Sequence, residues 1–230
     1  MKAVLVAALL LASAAPFVDA APKWHQLEGY TFDQYKKDFN KVYSGSEEAV
    51  RRAAFEARLA EIKEHNSRHP APSWRKGVNK MTDMNEVELK TFLGRVPHND
   101  QGPQYVSGNL KSTMREYVPS GNVIPASVDW RNKGVLTAVK DQGQCGSCWA
   151  HASAEAIESQ MALKTGQLYV LSQQQITACV PNPNQCGGTG GCGGGAEELA
   201  FDYIAKVGGI TEEWMYPYTS YFGDTEACIT

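Results

Sequence analysis

The chain has 230 residues, 43% of them hydrophobic, and carries 22 Lys+Arg against 25 Asp+Glu for a net charge of −3. That length allows one or two globular units. The mild acidity counts against a nucleic-acid binder, which needs a basic face. There are no internal repeats, low-complexity tracts or N-x-[ST] acceptors.

Residues 1–20, MKAVLVAALLLASAAPFVDA, place one lysine before an apolar run from Ala3 to Ala12, then small residues ending at Ala20. That is the three-part layout of a secretory signal peptide cut after Ala20. A membrane span needs about 20 apolar residues, and this run breaks at Ser13 and Pro16. Secretion permits disulfides. All six cysteines (145, 148, 179, 186, 192 and 228) lie in the second half. Charge divides at nearly the same place: residues 1–122 hold 17 basic and 14 acidic side chains, residues 123–230 hold 5 and 11.

The first half reads as helical. Tyr30, Phe32, Tyr35, Phe39 and Tyr43 recur at mostly helical spacing as an aromatic stripe. Ser44 or Ser46 is positioned to cap a second helix over about Glu47 to His65. Phe55, Leu59 and Ile62 form its apolar face, and Glu47 precedes Arg51 by four residues, the favourable order for a helical ion pair. From Val96 to Gly121 the chain is rich in Pro, Gly, Ser and Asn with little periodicity, which predicts a linker.

In the second half, DQGQCGSCWAH (141–151) holds a C-x-x-C. Such a pair can be a redox couple, half a zinc site, or a nucleophile beside a structural cysteine. A thioredoxin-like pair needs a βαβ context, and here a Gly-containing loop precedes it. Residues 149–164 are Ala-rich with apolar positions at helical spacing, so a helix starting near Cys148 is predicted. A helix N-terminus favours thiolate over thiol, and the thiolate is the attacking species.

Three motifs together resemble the papain family of cysteine proteases. Glu47-x3-Arg51-x3-Phe55-x6-Ile62-x3-Asn66 resembles the ERFNIN signature of its propeptides, with Arg58 where the family usually has its first Asn. Gly77-x-Asn79-x-Met81-x-Asp83 resembles the GNFD motif, with Met for Phe. Gln142 through Trp149 is similar, residue for residue, to the nucleophile motif, and Ile124 to Arg131 looks like the start of a mature papain-like protease; the ERFNIN pattern leans toward the cathepsin L-like endopeptidases.

The resemblance implies an α+β fold: a helical inhibitory pro-segment, then the mainly helical left lobe of a papain-like domain, with the β-rich right lobe missing. The implied division is a signal peptide (1–20), propeptide and linker (21–122) and peptidase lobe (123–230). Cys148 would be the nucleophile and Gln142 the oxyanion-hole side-chain donor. Gly146, Gly194, Gly195 and Ala196 would line the substrate path. Cys145 would pair with Cys192 and Cys179 with Cys228, leaving Cys186 without a mate.

The implied partners are protein or peptide substrates and the chain's own propeptide in the cleft. No cofactor, metal, nucleic acid or, after signal removal, membrane is expected. The setting would be the secretory pathway, with a lysosomal, vacuolar or extracellular destination. The family's base is a His about 130–150 residues past the nucleophile, whereas this sequence runs 82 residues past Cys148. A C-terminally truncated protease precursor is therefore expected. The other reading is a non-catalytic propeptide-type inhibitor of related proteases. His151, where relatives often carry Phe, reads as packing under the helix.

Overall fold

The structure, a computed structural model, describes residues 21–94, 118, 119, 121, 123 and 125–229. The expected signal peptide, nearly all of the expected linker, and His98 lie outside them. The described residues fall into two compact units that divide between Asn85 and Glu86. Residues 86–94, on the pro-segment side of the 122/123 division expected from the sequence, group with the second unit.

In the first unit, α1 (Phe32–Asp38) starts at a capping box: Thr31 Oγ1 accepts from Gln34 N at 3.3 Å while Thr31 N donates to Gln34 Oε1 at 2.9 Å. Helix α2 (Ser46–Ser67) is capped by neither predicted serine. Gly45, at φ 48°, is the cap, a left-handed conformation that glycine adopts without a Cβ penalty, and Ser46 is already inside the helix.

The aromatic stripe is likewise not one helix. Phe32 and Tyr35 lie in α1, Phe39 is its C-cap, and Asn40 (φ 51°) turns the chain before Tyr43. All of these rings nonetheless pack with Leu27, Phe55, Leu59, Ile62 and Val78. Tyr35 is central, 4.7 Å from the Phe55 ring and 4.9 Å from Phe39. Burying a side chain of this size is worth about 1.5–3 kcal/mol, so this cluster holds a unit with no disulfide.

The motif polar residues tie the loops to this core. Arg51 reaches Glu47 at 3.2 Å and Asp83 O at 3.4 Å. Asn66 pairs both ways with the backbone of Lys76, donating to its O at 2.8 Å and accepting from its N at 2.9 Å. Asn79 Oδ1 accepts from Met81 N at 2.9 Å, shaping the turn that follows Gly77 and delivers Asp83 into the core.

The second unit opens with a one-turn helix, α3 (Glu86–Lys90). A short 3₁₀ turn at Trp130–Lys133 precedes α4 (Cys148–Thr165), α5 (Gln173–Cys179) and α6 (Glu197–Val207). Helix α4 packs on α5 and α6 around Trp149, Ala150, Ala154, Leu171, Ile176 and Ala200. Small alanines let the helices approach, and Trp149 fills the centre at 0% exposure.

Among the described residues there is no strand, only an isolated antiparallel bridge between Leu171 and Glu212, so they are mainly helical, the character expected of the left lobe. Among the described residues, no helix is long and apolar enough to cross a membrane. Gln174 fastens the C-terminal turns to α5: its Oε1 accepts from Thr219 N and Ser220 N, and its Nε2 donates to Ser220 Oγ and Thr225 O.

Candidate active site

Cys148 is the first residue of α4, after Ser147 at the N-cap. Its thiol is free and partly exposed, whereas the other free thiol, Cys186, is buried and pushed up in pKa by that burial. Unpaired N–H groups of the first turn point past a residue in this position.

The loop before α4 is fixed from several sides. Cys145 is bonded to Cys192 (S–S 2.04 Å), and Gly146 N donates to Cys192 O at 3.0 Å. Cys179 is bonded to Cys228. Gln142 Nε2 donates to Cys145 O at 2.7 Å and to Phe92 O at 2.8 Å. One of its amide hydrogens thus holds the side chain in place while the other meets an incoming carbonyl.

That carbonyl belongs to a main-chain segment seated on the thiol. A Cβ on Gly94 would lie 2.0 Å from Gly146 O and 2.9 Å from Cys148 Sγ, so only glycine fits there. Gly94 O accepts from Gly195 N at 3.0 Å. Gly195 in turn lies on the Trp149 indole: a Cβ there would come within 2.8 Å of the ring. Trp149 Nε1 donates to Gly191 O at 3.1 Å, fixing the helix that carries Cys148 to the glycine run. Ala196 is buried as the N-cap of α6.

Sequence reasoning did not single out Phe92 or Gly94. Phe92 contributes a carbonyl and Gly94 a missing Cβ, and neither leaves a side-chain pattern. It also passed over a chain of hydroxyls beneath the site. His151 Nδ1 lies 3.0 Å from Ser147 O, Ser147 Oγ lies 2.7 Å from the Tyr218 hydroxyl, and Tyr218 donates to Gln142 O at 2.9 Å. The paired tyrosines of Tyr216-Pro217-Tyr218 were the available signal.

His151 is buried, with its ring edge-on to Tyr218. Burial lowers its pKa, outweighing the opposite pull of the Ser147 carbonyl, Glu155 and Asp141; Lys140 lowers it further. The unfolded chain therefore takes up this proton first as pH falls below about 6.5, so stability declines from there down through the folded pKa. His151→Phe is expected to flatten that acid limb by up to about 1.4 kcal/mol per pH unit. Urea midpoints measured between neutral and acid pH check it. An unchanged slope would remove His151 from the acid response.

Among the described residues, His25, His65 and His69 lie in the first unit and His151 alone in the second. No group of three or more His, Cys, Asp or Glu side chains gathers there as a metal site.

The family model for papain family cysteine proteases matches residues 124–230, and that for the cathepsin propeptide inhibitor domain matches residues 32–89. The chain belongs to the papain family. It is similar to mouse procathepsin L, 36% identical over 216 residues covering 93% of this chain and 60% of that protein. Mouse cathepsin S is 39% identical over 192 residues, 82% of this chain and 54% of that one. Among solved structures, the digestive procathepsin L 3 of Tenebrio molitor larval midgut superposes with a TM-score of 0.67 at 34% identity, over 86% of this chain and 59% of the other. The chain thus spans about 60% of the length of such relatives. With its pro-segment and peptidase parts both matched, it has the make-up of a cathepsin L-like zymogen.

Proposed function

We propose that this protein is the precursor of a secretory-pathway endopeptidase, bound for a lysosome, vacuole or the cell exterior, that cleaves peptide bonds through Cys148. One observation carries the proposal. A stretch of the chain's own main chain lies across the thiol, its carbonyls at Phe92 and Gly94 taken by Gln142 Nε2 and Gly195 N. These are the donors that a peptide substrate would need.

In the mature protein, after cleavage between about residues 95 and 122, those donors would be vacated. The Cys148 thiolate would then attack a peptide carbonyl carbon, and the oxygen would draw on Gln142 Nε2 and the Cys148 N–H as charge develops. Collapse of the tetrahedral species expels the amine, which leaves with a proton, and water hydrolyses the acyl-enzyme. The base that carries those protons would come from the part of the relatives' length that this chain does not match. His151 is not oriented for it, because its Nδ1 faces the Ser147 carbonyl.

The test is covalent labelling of the processed protein with a peptidyl epoxide, followed by peptide mapping. An adduct is expected on Cys148 and none on Cys186, whose thiol is buried. Absence of the adduct, together with inhibition of a purified related protease by the unprocessed chain, would favour the inhibitor reading. That reading draws on the matched propeptide inhibitor domain.

A further inference from the structure

Between Cys179 and Cys192 the chain makes an excursion, residues 182–190, whose polar contacts close on one side chain. Asn182 Nδ2 donates to Cys186 O at 3.0 Å and to Gly188 O at 2.9 Å, and Asn182 Oδ1 accepts from Cys186 N at 2.7 Å. Asn182 thereby uses both amide hydrogens and its oxygen on the backbone of its own loop. The interior of that loop, Cys186 to Gly188, is buried.

The loop returns along the glycine run. Thr189 N donates to Gly193 O at 3.1 Å and Gly190 N to Gly194 O at 2.7 Å. No side chain fits at the turn: a Cβ on Gly187 would lie 2.5 Å from Gly195 O, and one on Gly188 would lie 2.2 Å from Gly193 O. Both glycines also sit at positive φ, 69° and 147°.

These contacts bear directly on the donor that meets Gly94. The peptide group between Gly194 and Gly195 is planar and trans, so its C=O and N–H point in opposite directions. Holding Gly194 O against Gly190 N on one side aims Gly195 N–H to the other. There it donates to Gly94 O.

We propose that loop 182–190 is a positioning element for the peptide-binding edge, and that Asn182 is its positioning residue. The loop sets the orientation of Gly195 N–H for whatever main chain lies in the cleft, pro-segment or substrate. This rests on the reading of Gly195 as a peptide-binding group. Asn182 touches neither the thiol nor the bound segment, and acts through Gly188, Gly190 and Gly194.

The experiment uses the full chain with its pro-segment in place. Cys148 alkylation by iodoacetamide and amide exchange at Gly195 are measured in wild type, Asn182→Ala and Asn182→Ser. Loss of one well-aimed hydrogen bond to Gly94 is expected to speed Cys148 alkylation about three- to ten-fold. Gly195 exchange should rise in parallel, with α4 amides and Cys186 labelling unchanged. Asn182→Ser, whose hydroxyl can still accept from Cys186 N, should fall between, and it decides the matter if the alanine variant does not fold.

Unchanged Cys148 alkylation and Gly195 exchange would overturn the proposal. So would parallel labelling of Cys148 and Cys186, since that marks a loop that has simply unfolded. Failure of the peptidase reading shows elsewhere, as a missing peptidyl-epoxide adduct on the processed protein. With that adduct missing and the alkylation change present, the loop would still position Gly195, for the pro-segment alone.

Discussion

Glu158→Ala is expected to cost the second unit about 3–5 kcal/mol, the range for stripping one partner from a buried ion pair. Glu158 is 1% exposed and lies on one side of α4, about three turns from Cys148. Its Oε2 accepts from Lys140 Nζ at 3.1 Å and from the Thr137 hydroxyl, and its Oε1 accepts from Leu171 N at 2.8 Å. The carboxylate thus joins the helix to the loop that leads into Gln142 and to the start of α5. Without it, Lys140 loses its buried counter-charge and is left with Glu155 at 3.4 Å, the Thr137 hydroxyl at 2.7 Å and Ala138 O at 3.4 Å, and the buried Leu171 N–H loses its acceptor.

The double variant Glu158→Leu/Lys140→Met should recover much of the loss, because apolar packing replaces a desolvated pair. It should stop short by about 1–3 kcal/mol, the cost of leaving the Leu171 N–H unpaired. Cys186 offers a readout within this unit, since its buried thiol becomes reactive when the structure around it opens. The urea midpoint for Cys186 labelling measures each variant. A Glu158→Ala loss below about 1 kcal/mol would mean that water or a rearranged Lys140 replaces the tether.

How much of this was legible depends on what the sequence can encode. The start of α4 at Cys148 was legible because alanines and apolar spacing describe a helix. The core positions Phe55, Leu59 and Ile62 followed from their period, and the structure buries all three. The disulfide partners came from resemblance; spacing alone would not have selected them among six cysteines.

The aromatic stripe misled because rings from a helix, its cap and the following turn can meet on one core without sharing one helix. The cap of α2 was missed because a glycine at positive φ supplies a turn but no hydrogen-bonding side chain to search for. The contacts at the thiol were hidden for a related reason. Phe92 acts through its carbonyl, Gly94 and Gly195 through their lack of a Cβ, and Gly190 through its N–H. Backbone groups are common to every residue, so their roles emerge only when distant segments are brought together.

Asp83→Ala should do to the first unit what Glu158→Ala does to the second. Asp83 is 1% exposed and collects three partners from sequence positions more than 30 residues away: Tyr35 at 3.0 Å, the Tyr43 hydroxyl, and Lys41 Nζ at 3.5 Å. Burial and this carboxylate together push both tyrosines up in pKa, so they remain hydroxyl donors. Alanine would take the facing charge from the Lys41 ammonium, which keeps the Lys80 carbonyl at 2.8 Å, and leave Tyr35, itself 0% exposed, with only the Asn79 carbonyl at 3.1 Å.

The expected loss is again about 3–5 kcal/mol. A unit this small, with no disulfide, has little margin over unfolding. We therefore expect Asp83→Ala to lose much of the α1 and α2 circular dichroism at 25 °C and to become susceptible to protease within α2. Asp83→Asn keeps an acceptor for the hydroxyls while losing the charge that faces Lys41, and should retain most of the helix. A cycle with Tyr35→Phe separates the terms: if Asp83 acts mainly through that hydroxyl, the two losses will be strongly non-additive. Additive losses would place the stabilisation in Lys41 and Tyr43 instead, and make the tyrosine at 35 a packing residue whose hydroxyl contributes little.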